Sequence, residues 1–294
     1  MRLEFACGGR TWSILCDTER APRTLQSLAA ILPCELQLHT PKIAGLHVYW
    51  HAPLIEDAEG AIDVMEAQPG SFIYWPARQF LELTFAPLQA ETATITLLGA
   101  IESGLPELYD LGLSLRQSHG RSVTSGRLSA ISDVPPAADA PRGEPVALDL
   151  IEHREALWRG RPAEFAALLA SRAIMHPAGP LMMAEAEARN LHELLWWVRA
   201  DLSATKEEFS RHMAAVACNK AATRLRDFCH LAQTAALFLK FERAFRDGAA
   251  DLRAHLNEAI LCAGRVAAWL DLEIPWHDVN EAMRKAIDDR TVPQ

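Results

Sequence analysis

APRTLQSLAAILP (residues 21–33) and GSFIYWP (residues 70–76) decide the fold. The first opens on a proline, where a missing N–H costs a helix nothing, and carries its apolar residues at helical spacing. The second is an apolar, aromatic run of the kind that forms a strand. Upstream of the helix, LEFA (3–6) and TWSIL (11–15) flank Gly8-Gly9, a hairpin signal. Asp17 or Thr18 is placed to accept hydrogen bonds from the first free amides of the helix. Downstream, strands are expected at 34–38, 46–50, 71–75, 80–85, 92–98 and 122–129, with a short helix around 106–117 between the last two. The order is therefore strand, strand, proline-started helix, then several strands.

Residues 132–145, SDVPPAADAPRGEP, hold prolines and small residues that sustain neither helix nor sheet, and read as a linker. Beyond them the apolar period changes. Segments 163–174, 180–200, 206–245, 251–270 and 277–287 carry apolar residues at helical spacing. Thr205 with Glu208 looks like a capping-box start, and 206–245 reads as two helices or one bent helix. The expected class is α+β, with a strand-rich domain over 1–135 and a helical bundle over 146–294.

The chain has 294 residues and is half hydrophobic, enough for a sizeable core. A net charge of -9 without a basic run argues against nucleic-acid binding, which needs clustered Lys and Arg. The six cysteines form no CxxC pair, so a zinc ribbon or thioredoxin-like site is not expected. No metal box, P-loop or dinucleotide fingerprint is present. MRLEFACGGR has no apolar stretch long enough for a signal peptide, and no run approaches a membrane span. A cytoplasmic protein with reduced thiols and no membrane partner is expected.

The segments ERAPRTLQSLAAILP (19–33), QPGSFIYWPARQFLELTFAP (68–87) and SHGRSVTSGRLSAI (118–131) resemble a bacterial cyclophilin-like family related to cucumopine synthase. The two-part build, a barrel followed by a helical bundle, also resembles that of the β-carboline-forming Pictet–Spengler enzymes of bacterial alkaloid pathways. The resemblance implies an N-terminal cyclophilin-like β-barrel and a ring-forming condensation. In that reaction an aromatic L-amino acid, tryptophan or histidine, forms an imine with a 2-oxo acid or an aldehyde. The electron-rich ring then attacks the imine carbon, giving a β-carboline or a cucumopine-like opine. The resemblance implies neither organic cofactor nor metal.

Such chemistry needs a cation for carboxylates, a proton carrier and an aromatic wall that orients the ring. Arg78, between two expected strands, is the leading substrate-binding cation because its planar guanidinium matches a carboxylate. Arg116 is a second candidate, and Arg121 a third. Glu102 ends the apolar strand TITLLGAI and is the catalytic acid/base candidate, on the expectation that partial burial raises its pKa. Glu107 stands behind it. His119, before Gly120, is a second catalytic candidate near neutral pH. Phe72 and Tyr74 share one strand face, opposite Ile73 and Trp75, and are candidates for the pocket wall, with hydrophobic core as the plainer reading. His39, His47 and His51 alternate, but their spacing does not match a closed metal site. Trp196-Trp197 reads first as core or dimer packing.

Two rivals stand beside this reading. A prolyl isomerase would follow from the barrel alone, yet the FHR and QGGD-type patterns of active cyclophilins are missing. A non-catalytic small-molecule or partner-binding module would use the same pocket without a proton carrier. Apolar blocks at 181–183, 194–198 and 237–241 point to a homodimer.

Overall fold

The Gly8-Gly9 turn closes a hairpin of β1 (Arg2–Cys7) and β2 (Arg10–Cys16), paired in register from Arg2↔Leu15 to Cys7↔Arg10. The computed structural model describes residues 1–42, 45–88, 93–131, 146–170, 179–248 and 251–291, without the side chains of 204, 290 and 291. The expected linker, 132–145, lies outside the described residues.

Helix α1 (Pro22–Ala30) follows, with Pro22 in its first turn as the sequence suggests. Its capping differs from expectation. Asp17 accepts the amides of Glu19 and Arg20, while the amides of Arg23 and Thr24 inside the helix go to the Glu59 carboxylate. A side chain distant in sequence does the capping, which no local pattern reveals. The remaining strands are β3 (Cys34–Gln37), β4 (His47–His51), β5 (Ala61–Asp63), β6 (Ser71–Trp75), β7 (Phe80–Thr84), β8 (Thr94–Ile101) and β9 (Ser125–Ala130), with α2 (Leu105–Ser118) before the last. The short β5 has no counterpart in the sequence reading.

The strands form one antiparallel sheet in the order β3-β9-β1-β2-β8-β6-β7-β4, with β5 added on β8. Its two ends approach through an antiparallel bridge between His39 and Tyr49, which nearly closes a barrel. Alternation along β4, β6 and β7 sends one set of side chains inward and the other outward. Val48, Trp50, Phe72, Tyr74, Leu81 and Leu83 join Phe5, Trp12, Leu25 and Leu28 in the main core. Phe5 lies between Trp12 and Trp50, at ring-centroid distances of 5.3 and 5.4 Å. Tyr49, Ile73, Trp75 and Phe80 point the other way, into a second apolar cluster with Val64, Ala67, Leu88 and Ile95.

The chain divides into two compact units, 1–137 with 272–294, and 138–271. The last helix, α9 (Trp276–Thr291), thus groups with the strand-rich unit, whereas the sequence pattern carried the helical half to 294. Within this unit Arg121 makes a bidentate pair with Asp278, Asn280 donates to the Lys42 carbonyl, and the Lys42 ammonium sits 4.5 Å from the Trp276 ring.

The second unit holds α3 (Leu148–Arg159), α4 (Glu164–Ala170), α5 (Gly179–Ala200), α6 (Glu207–Cys229), α7 (Ala232–Arg246) and α8 (Leu252–Asp271). Helix α8 is its axis: every residue from Ala259 to Asp271 is buried. Segment 206–245 is two helices, broken at His230, which adopts the left-handed conformation while the Leu231 amide returns to the Leu225 carbonyl. The Thr205–Glu208 box does not form, because α6 begins after a 3-10 turn over Ala204–Lys206 and its N-cap Lys206 makes no side-chain cap bond. Helix α3 escaped the periodicity reading. Trp196 is buried and Trp197 is exposed, so the pair is split between core and surface. Among the described residues no helix is long and apolar enough to cross a membrane.

Candidate active site

Glu82 is the anomaly of the strand-rich unit: a carboxylic acid in the middle of the apolar strand β7, FLELT, with its side chain 1% exposed. Register places it between Tyr49 of β4 and Ile73 of β6. Its oxygens are buried and accept no hydrogen bond among the described residues. His47 Nε2 stands 3.7 Å from Oε2. Burial pushes the Glu82 carboxyl up to about 8, against a smaller downward pull from the Arg78 charge. Burial also pushes His47 down, to about 3, so the pair is neutral at pH 7 rather than ionic.

Arg78 lies at the end of a 3-10 turn (Pro76–Arg78) joining β6 to β7, its guanidinium 5.1 Å from the Trp75 ring. Rings accumulate on the same outward face. Tyr49 stacks on Phe80 at 4.3 Å and on His39 at 4.9 Å, and His51 meets Phe80 edge-on at 4.7 Å. The histidines continue outward: His39 is 6.3 Å from His51 and 6.4 Å from His119, and His119 is 6.5 Å from His277 of α9. The His277 pKa is lowered by burial first, then by the charge of Arg116. One face of the unit therefore carries a buried acid whose carboxyl desolvation pushes up to about 8, the field of a cation, and an aromatic and imidazole surround. That set places a group able to give and take a proton among aromatic and imidazole rings.

The sequence candidates fall on and off this face. Arg78 acts on Glu82 through its charge. His119 is buried on the imidazole run, and Arg116 is exposed but reaches His277 electrostatically. Phe72 and Tyr74 lie in the main core, where the Tyr74 hydroxyl donates to the Leu54 carbonyl and accepts the Glu56 amide. Glu102 lies apart from the aromatic face. It accepts bonds from Ser13 at 2.5 Å and Arg2 at 2.7 Å, and the Ser13 bond followed by the Arg2 bond lowers its pKa. This corrects the expectation of a raised value: the end of β8 is exposed, and the partners stabilise the ionised form. Glu82 was missed, although a lone acid framed by Phe80, Leu81, Leu83 and Phe85 is a signal the sequence contains. Among the described residues no set of three or more His, Cys, Asp or Glu is arranged to hold a metal ion.

No protein-family model matches the sequence, and no curated protein matches it. Among solved structures, that of McbB in complex with tryptophan matches with a TM-score of 0.73 at 17% identity, covering 95% of this chain and 99% of that one. The solved hypothetical protein AF2241 from Archaeoglobus fulgidus has a TM-score of 0.33 at 20% identity, over 44% of this chain and 93% of its own. The shared feature with McbB is the fold, a nearly closed antiparallel barrel with a set of helices in an α+β chain.

Proposed function

We propose that this protein is a ring-forming condensing enzyme of the Pictet–Spengler type, joining an aromatic L-amino acid to a 2-oxo acid or an aldehyde. The observation that carries the reading is the carboxyl of Glu82, buried in the middle of β7, pushed up by desolvation, within the field of Arg78 and against an aromatic face. The solved neighbour of the same fold holds tryptophan, which supports an aromatic amino acid as the amine.

In this mechanism Arg78 holds a substrate carboxylate through its planar fork. The substrate amine adds to the carbonyl carbon, and Glu82 gives its proton to the resulting hydroxyl, which leaves as water. The ring carbon then attacks the iminium carbon, forming the new C–C bond. The carboxylate of Glu82 takes the proton from that ring carbon, restoring aromaticity and its own protonated form. The balance is amine plus carbonyl compound minus one water. An acid with a pKa near the working pH suits both transfers, and holding the ring in attacking geometry supplies much of the rate. His119, on the imidazole run, carries toward solvent the proton that the substrate ammonium loses before its amine adds to the carbonyl. We assign Phe72 and Tyr74 to shaping the barrel behind β6, and Arg116 to the electrostatics around His277.

The test is incubation with tryptophan or histidine and either 2-oxoglutarate or an aldehyde, read by mass spectrometry. A product heavier than the amino acid by the carbonyl compound less one water supports the reading. Amino-acid binding without product would favour the non-catalytic module.

A further inference from the structure

The proposed mechanism leaves His47 unused, although it is the group that faces the Glu82 carboxyl. Its side chain is 12% exposed, its Nε2 lies 3.7 Å from Oε2, and its Nδ1 is buried without a hydrogen bond among the described residues. With Nδ1 bare, the neutral ring can carry its one proton on Nε2, the nitrogen nearer the carboxyl. Among the described residues, the other titratable or charged groups on the same face are Tyr49 and His51 of β4, His39 stacked on Tyr49, and Arg78 from the turn, while β6 contributes Ile73. The loop before β4 also makes room for the ring. A Cβ on Gly45 would come 2.6 Å from Cε1 and 2.7 Å from Nδ1 of His47, and Gly45 has φ +110.

We propose that His47 is a positioning residue, whose Nε2–H donates to the Glu82 carboxylate during the interval between its two proton transfers. This rests on the reading of Glu82 as the proton carrier. A buried carboxylate without a donor is costly, and one charge-assisted bond offsets much of that cost. His47 keeps its proton throughout: the Glu82 proton leaves with the hydroxyl as water, and the ring carbon returns one. The bond also holds the carboxyl in one orientation for both transfers.

The experiment uses the full chain without substrate. The infrared carboxyl band of Glu82, identified by its disappearance in Glu82→Gln, is titrated in the unsubstituted protein, His47→Phe and His47→Gln. Loss of one charge-assisted bond should keep the protonated band to pH values about one to two units higher in His47→Phe, whereas His47→Gln retains a donor and should titrate near the unsubstituted protein. Where His47→Phe does not fold, Gly45→Ala, which displaces the ring, is read in the same way. With substrates, His47→Phe should lower kcat about ten- to a hundredfold with little change in KM, and His47→Gln should recover much of it. A carboxyl band that titrates unchanged when the ring is replaced or displaced overturns the proposal. If no amino acid and carbonyl compound yields product, the condensation reading fails, while the band shift still decides the His47–Glu82 coupling.

Discussion

Replacing Glu82 by Gln should change how stability depends on pH, and the structure sets the sign. The carboxyl titrates at about 8 in the folded protein against 4.5 ordinarily. Between those values the folded state binds more protons than the unfolded chain, so stability falls as pH rises. At roughly 1.4 kcal/mol per pH unit the whole span is worth about 5 kcal/mol, of which about 2 kcal/mol falls between pH 6.5 and 9. His47 acts oppositely, since its pKa drops from 6.5 to about 3. Its contribution is lost as pH falls through that window. The two offset each other between pH 4.5 and 6.5, leaving a plateau with a decline on the alkaline side. Glutamine fills nearly the same space and cannot ionise. Urea unfolding followed by tryptophan fluorescence at pH 6.5 and 9 measures the difference. The unsubstituted protein should lose about 2 kcal/mol more over that interval than Glu82→Gln, at similar m-values. An equal alkaline loss in both proteins would refute the argument that Glu82 is buried and protonated.

Further expectations concern the site and the frame. Arg78→Lys should raise KM for the amino acid about tenfold or more, with a smaller effect on kcat, because a point charge cannot reproduce the fork; an unchanged KM in steady-state assays would remove Arg78 from carboxylate binding. Glu102→Gln should leave turnover near normal, since its partners are Ser13 and Arg2; a hundredfold loss would return Glu102 to the mechanism. Phe5→Ala, which empties a fully buried site between two tryptophans, should cost about 3–5 kcal/mol in denaturant unfolding, and a cost under about 1 kcal/mol would mean the core collapses around it. We also expect a homodimer, with exposed Trp197 and Phe209 of the second unit as apolar surface to cover; light scattering that gives a monomer mass at micromolar concentration would contradict it.

Period and punctuation settled much of the architecture in advance. Gly8-Gly9 between two alternating runs, Pro22 before a 3.6-residue period, and the change of period beyond residue 145 are local signals, and hairpin, helix and helical half follow from them. The two faces of β6 were legible for the same reason, since strand geometry alone separates Phe72 and Tyr74 from Ile73 and Trp75. Which face is the main core and which carries Glu82 was decided only by closure of the sheet through His39 and Tyr49. The long-range partners were equally invisible. Glu59 caps α1 from 36 residues away, and Arg2 and Ser13 hold Glu102 across about a hundred residues. A carboxyl's pKa depends on burial and on what stands within a few ångströms, and neither is a property of its neighbours in sequence. Glu102 and Glu82 are both acids on or beside apolar strands. The first became an exposed, bonded carboxylate and the second a buried acid because the barrel turned one toward Arg2 and the other toward His47.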